Sequence, residues 1–123
     1  MGKNETERFL RFLGLCRRAG KTVHGTPLVC LALAGKKKPC LVILATDVSS
    51  GTAKKVESKC GFYQVPLIKT EATTEEMAHA VGKTGALAAV AVTDENFAKE
   101  LSTINVYERT PPTSRRKGEE YAE

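Results

Sequence analysis

Two short apolar runs, "CLVILAT" (Cys40 to Thr46) and "LAAVAV" (Leu87 to Val92), constrain this chain more than any other feature. A strand with one wet face alternates apolar and polar residues. These runs do not alternate, so both of their faces must be covered. The covering layers have to come from the amphipathic segments between them, and this alternation of strands and helices argues for an α/β sandwich with a central, largely parallel sheet.

The flanking segments supply those layers. Asn4-x-x-Glu7 has the form of a capping box, Phe9, Phe12, Leu13 and Cys16 follow at helical spacing, and Gly20 stops the helix. Thr22 to His24 is a short strand. "TPLVCLALAG" reads as a buried helix with Thr26 as N-cap, Pro27 at its first position and Gly35 past its end. Ser49 or Ser50 opens a lysine-bearing helix that Gly61 stops, and Val65 to Ile68 is a strand. Thr73-x-x-Glu76 opens a helix ending near Gly82, and Asp94 caps a last one carrying Phe97 and Leu101. Residues 1–104 are expected to form one domain, and residues 105–123, poor in apolar groups, a mobile tail.

Charge is unevenly distributed. Residues 1–60 hold twelve Lys/Arg against four Asp/Glu, residues 61–104 three against six, and the remainder four of each. A first half with a balance of +8 suits a polyanion, whose counterions are released as its phosphates are neutralised. Lys36, Lys37 and Lys38, and further on Lys54 and Lys55, are the expected phosphate contacts. No apolar stretch nears the roughly 20 residues that span a bilayer, and no signal-peptide pattern opens the chain, so a soluble, cytoplasmic protein without a membrane partner is expected.

Catalytic chemistry finds little footing. Gly20-Lys21-Thr22 mimics the end of a phosphate loop, but the required glycine five residues earlier is absent (position 15 is Leu15) and a helix, not a strand, precedes it. Gly82-Lys83-Thr84 fails likewise, with Met77 at the required position. His24 and His79 lack a partner at diagnostic spacing. Cys16, Cys30, Cys40 and Cys60 include no CxxC pair, so they read as reduced thiols, with neither metal nor cofactor expected. Asp47, at the end of an apolar run, reads as a functional group at a strand end or as a cap of the next helix.

Gly20-Lys21-x-Val23-x-Gly25, Gly35-Lys36, "LVILATD", "Y-x-V-P" (Tyr63 to Pro66), "AVGK" (Ala80 to Lys83) and "AVAVTDENFAKEL" together resemble the kink-turn RNA-binding ribosomal proteins of the L-seven-Ae and L-thirty-e family. The bacterial YlxQ-like branch is nearest in pattern, and the similarity spans about residues 9 to 101. The resemblance implies a three-layer α/β/α sandwich with a central mixed, largely parallel sheet, and a small, monomeric, non-catalytic protein that grips structured RNA, with ribosomal RNA or the ribosome as the candidate partner. Its RNA-facing positions would be Lys21, then Gly25, Thr26, Pro27, Leu28 and Leu31 on the short second helix, Asp47 after the strand, and Thr84, Gly85, Ala86 and Leu87 in a closing loop. The archaeal and eukaryotic pattern G-x-N-E-x-x-K is here Gly25-Thr26-Pro27-Leu28-Val29-Cys30-Leu31, which implies weaker kink-turn selectivity. The alternative is a protein-interaction module of the same fold with reduced RNA binding.

Overall fold

The computed structural model describes residues 3–104 and 108–110. Ten elements follow in order: α1 (Lys3–Arg18), β1 (Thr22–His24), α2 (Thr26–Ala34), β2 (Leu41–Leu44), α3 (Ser50–Tyr63), β3 (Leu67–Lys69), α4 (Thr74–Ala80), β4 (Ala89–Val92), α5 (Glu95–Ile104) and β5 (Glu108–Thr110). The strands form one sheet in the order β1-β4-β2-β3-β5.

Two-sided burial of the central strands organises the molecule, as their composition requires. Leu41 and Ile43 of β2 point into one core with Phe9, Leu13 and Cys16 of α1, Met77 of α4 and Leu101 of α5. Val42 and Leu44 point into a second core with Val29 and Leu33 of α2 and Val56 and Cys60 of α3. Strand β4 divides the same way, giving Val90 and Val92 to the first core and Ala89 and Ala91 to the second. Helices α1, α4 and α5 therefore cover one face and α2 and α3 the other. Each fully buried leucine, isoleucine or phenylalanine contributes about 1.5–3 kcal/mol of transfer free energy.

The sheet is mixed, but its balance differs from the one expected. Strands β1 and β2 both pair antiparallel with β4, and β3 pairs parallel with β2. Three strands thus share a direction, yet only β2 and β3 are parallel neighbours, because β4 is inserted between β1 and β2. Strand β5 pairs antiparallel with β3. Part of the segment expected as a tail therefore adds a strand, and the rest of it lies outside the described residues.

Local signals hold at most element ends and slip at three. The Thr73–Glu76 capping box forms in full: Glu76 N–H donates to Thr73 Oγ1 at 3.0 Å and Thr73 N–H to Glu76 Oε1 at 2.9 Å. Phe97 N–H donates to Asp94 Oδ1 at 3.0 Å, and Thr52 N–H to Ser49 Oγ at 3.3 Å. Helix α1, however, begins at Lys3, which leaves Asn4 inside its first turn. The N-cap of α2 is Gly25, not Thr26, so Pro27 moves to the second helical position. Gly61 lies within α3, which ends at Gln64 in a left-handed conformation (φ 61°). A glycine costs a helix only about 1 kcal/mol, and packing of Val56 and Cys60 carries α3 past it.

Gly20-Lys21-Thr22 is the exit of a helix. Lys21 N–H donates to Cys16 O at 3.0 Å and Gly20 N–H to Arg17 O at 2.9 Å, the paired bonds of a Schellman terminus. A phosphate loop needs a helix N-terminus at this position. Burial raises the thiol pKa of Cys16 to about 11 and of Cys60 to about 12, keeping both protonated as core groups.

Helices α1 and α4 are in close contact at Gly14, where an added Cβ would fall 2.9 Å from Ala80 O. Gly51, in α3, has nothing within 4 Å of that position. Gly14→Ala is therefore expected to destabilise the fold, since overpacking typically costs about 1–3 kcal/mol, more than alanine returns as helix propensity. Gly51→Ala should stabilise it by about 0.5–1 kcal/mol. Urea unfolding of the two variants checks the opposite signs.

Candidate nucleic-acid interface

Strands β1, β2 and β3 run in one direction and end on a common rim, where β4 begins. Backbone bonds tie that rim together. Gly25 N–H donates to Ala89 O at 2.9 Å, Ala45 N–H to Ala88 O at 3.0 Å and Thr46 N–H to Ala72 O at 2.8 Å. The start of α2, the residues after β2 and the end of the α4–β4 loop are consequently brought together.

Gly25 sits at φ 94°, ψ 143°, a conformation that L side chains rarely adopt. Its amide is committed to Ala89, and no side chain caps α2. In the first turn, Pro27 has no N–H, so the Thr26 and Leu28 amides are the donors that the helix itself does not satisfy. Pro27 is exposed, as are Leu28 (55%) and Leu31 (68%), which makes the outer face of this helix end apolar.

The facing loop leaves α4 through a second Schellman terminus. Gly82, at φ 78°, donates its N–H to His79 O, and Lys83 N–H donates to Ala78 O at 2.8 Å. Thr84, Gly85 and Ala86 are exposed at the tip, with Gly85 at φ 92°. Leu87 differs from its expected placement. Its side chain is buried in the core that also holds Met77, Val81 and Val90, and its N–H donates to Thr74 O at 2.9 Å. It anchors the loop and does not present a side chain to solvent.

Asp47 is a cap, though not of the next helix. It reaches the start of α4, accepting from Thr74 N–H at 2.7 Å and from the Thr74 hydroxyl at 3.3 Å, while Ser49 caps α3. The rim's nearby carboxylate is therefore already hydrogen-bonded. Lys54 and Lys55 are exposed on the first half of α3, which also starts at this rim.

The other predicted cations lie elsewhere. Lys21 precedes β1, and its carbonyl accepts from Thr93 N–H at 2.9 Å, beyond the far end of β4. Lys36, Lys37 and Lys38 are exposed in the turn leading to Cys40, whose N–H donates to Val92 O. Both groups belong to the opposite end of the sheet. Lys38 is also in local use: its ammonium lies 4.5 Å from the centroid of the Tyr63 ring and donates to Gly35 O at the end of α2.

Cations that sequence reasoning passed over flank the rim instead. The pKa of His24 is held below its ordinary value of 6.5, by burial first and then by the positive charges of Lys83 and Arg17. Nε2 of His24 is 2.7 Å from Thr22 Oγ1. Lys83 was legible only in a failed phosphate loop and in the "AVGK" motif, neither of which marked it as a cation of the site, and Arg17 had no signal beyond its charge.

An α/β/α domain that presents an uncapped helix start beside a cationic loop belongs to the class of small folds suited to polyanions. The particular relationship is specific: the chain belongs to the Ribosomal protein L7Ae/L30e/S12e/Gadd45 family, whose model matches residues 8–102. It is 42% identical over 92 residues to the RNA-binding protein YlxQ of Bacillus subtilis (strain 168), covering 75% of this chain and 89% of that protein. It is 30% identical over 106 residues to the RNA-binding protein YlxQ of Enterococcus faecium, covering 85% and 97%. Among solved structures, a protein of unknown function from Bacillus halodurans matches with a TM-score of 0.71 at 31% identity, covering 78% of this chain and 94% of that one. The Giardia lamblia 15.5kD RNA binding protein shares the fold, with a TM-score of 0.69 at 13% identity, covering 85% and 90%.

Two outcomes follow from the rim's geometry. Asp47→Ala should lower stability by about 1 kcal/mol, the usual loss of a helix-start acceptor, and a cycle with Thr74→Ala should show the two effects to be non-additive. For His24, the depressed pKa means that the unfolded chain binds the proton more readily. Stability from this group is complete above pH 6.5 and is lost as pH falls through the lower folded value. His24→Gln should therefore flatten stability just below pH 6.5, as read by thermal unfolding across that range.

Proposed function

We propose that this chain is a non-catalytic, monomeric cytoplasmic protein that binds structured RNA at the rim formed by the start of α2 and the 82–87 loop. One observation carries the reading: the bond from Gly25 to Ala89 puts an uncapped helix start on the same rim as the end of the 82–87 loop, with the charges of Arg17 and Lys83 acting on His24 beside it and the nearby Asp47 carboxylate already hydrogen-bonded. Backbone amides there suit a phosphate or a base edge, and exposed Leu28 and Leu31 suit the faces of splayed bases. The RNA-binding names of the YlxQ relatives support the same assignment. Ribosomal RNA is the proposed partner class, and a kink-turn the proposed shape.

Recognition in this mode rests on shape and backbone more than on side-chain readout. Pro27, Leu28 and Leu31 stand where polar relatives place an amide, a carboxylate and a lysine. A second reading, docking of a protein partner, is favoured by the apolar surface that Pro27, Leu28 and Leu31 expose.

Nuclease-sensitive absorbance at 260 nm in the purified protein separates the two readings, and protein free of nucleic acid that also binds no RNA would sink the first. Pro27→Asn with Leu28→Glu is expected to widen the preference for a kink-turn over the same RNA with its purine pairs made Watson–Crick, by about 1 kcal/mol for each new hydrogen bond to a base edge. Leu28 is exposed enough to accept glutamate. Calorimetry with both RNAs measures it; a strong native preference that the double variant leaves unchanged would assign recognition to the backbone alone.

A further inference from the structure

The rim does not exhaust the positive charge of this chain. A groove of about 650 Å³ lies between helices α1 and α4, alongside their close contact at Gly14. Its lining includes Arg11, Arg17, Arg18, Glu76, His79 and Gly82. Arg11 and Arg18 are seven residues apart, so they share one side of α1 and are separated by about 10 Å along its axis, or about three steps of a nucleic-acid strand.

The groove carries more positive than negative charge, with three arginines against the single carboxylate of Glu76. The ion pairs Lys69–Glu57 and Lys99–Glu95 lie among the described residues, and neither involves a groove arginine. The carboxylate of Glu76 already accepts the Thr73 N–H of the capping box at 2.9 Å. Three guanidinium groups gathered along one groove repel one another, and one carboxylate offsets that repulsion only in part. An external polyanion relieves it.

The groove is also continuous with the rim. Gly82 belongs to both, and an added Cβ there would lie 3.7–3.9 Å from Cζ, Nη1 and Nη2 of Arg17. Arg17 and Lys83 both act on His24, one residue before Gly25. A cationic path therefore runs from the α2 start, past Lys83 and Arg17, into the space between α1 and α4.

We infer that the α1–α4 groove is a second RNA site, which holds the phosphate backbone of the strand leaving the rim through Arg11, Arg17 and Arg18 without reading its sequence. This extends the RNA-binding reading and rests on it. Guanidinium groups bind phosphate oxygens in charge-assisted pairs, and such pairs carry register without base information. The groove thereby lengthens the footprint beyond the bend.

The test uses two probes: a kink-turn RNA that ends at the bend, and the same RNA with a flanking strand of arbitrary sequence long enough to reach the groove. Arg11→Gln with Arg18→Gln leaves Arg17 and the rim intact. The native protein should bind the longer RNA more tightly and with a steeper salt dependence. In the double variant that difference should disappear, the slope falling by about 0.7–0.9 for each phosphate no longer neutralised. Arg11→Lys with Arg18→Lys should restore the slope, because lysine keeps the charge. Thermal unfolding of each variant excludes a folding defect as the cause. Equal affinity and slope for the longer RNA in native and glutamine forms would overturn the groove while leaving the rim standing. Failure of the native protein to bind either RNA would overturn the rim reading and the groove with it. Displacement of the flanking strand by polyglutamate as readily as by RNA would reassign the groove to an acidic protein surface.

Discussion

Everything in this molecule follows from burying β2 on both faces. Leu41 and Ile43 on one side, and Val42 and Leu44 on the other, each require a helical layer. The side chains of β4 then decide how close those layers come. Ala89 and Ala91 face α2 and α3, whereas the bulkier Val90 and Val92 face the layer containing α1, α4 and α5. Small residues on the α2 side let that short helix lie close to the sheet, with its N-cap Gly25 bonded directly to Ala89. The position of the helix start, and so of the rim, is thus a packing result before it is a functional one.

Most of the architecture is legible in the sequence because its signals are local. Unbroken apolar runs mark two-sided strands, and Thr73 with Glu76, Ser49 and Asp94 mark helix starts through bonds made within three residues. The slips have the same origin in reverse. Gly25 serves as the cap of α2 because of its backbone conformation and its bond to Ala89, a contact 64 residues away in sequence that no local pattern reveals. The insertion of β4 between β1 and β2 is equally non-local. Strand direction depends on which edge the chain returns to, and an apolar run carries no information about that.

The candidate site divides along the same line. The start of α2 at Gly25 and the end of the loop that carries Thr84, Gly85 and Ala86 are brought to one rim by the bond from Gly25 to Ala89. Lys21 and Lys36 to Lys38 do not join them, because the residues that enter β1 and β2 lie at the opposite end of the sheet from those that leave them. Their charge was visible and their location was not. Asp47 was visible as a strand-end carboxylate, yet only the fold reveals that its partner is Thr74, 27 residues on. Arg17 and Lys83 show the converse, since nothing in their sequence neighbours ties them to His24.

The exchange of polar for apolar residues at the start of α2 has a structural counterpart. A helix start that recognises bases through an amide and a carboxylate must hold those side chains in place, whereas this one offers a proline, two exposed leucines and two backbone amides. Backbone donors are fixed by the helix and lose no side-chain entropy on binding, but they discriminate poorly among base edges. Leucine faces add contact with any splayed base and distinguish none of them. In the proposed RNA-binding mode, affinity is gained by lengthening the contact with the phosphate backbone, and the Arg17 guanidinium beside Gly82 lies where such a lengthening would begin. In the proposed mode, selectivity is then set by the shape of the RNA that can touch the rim and the groove at once, and the two surfaces act together as a ruler for the bend.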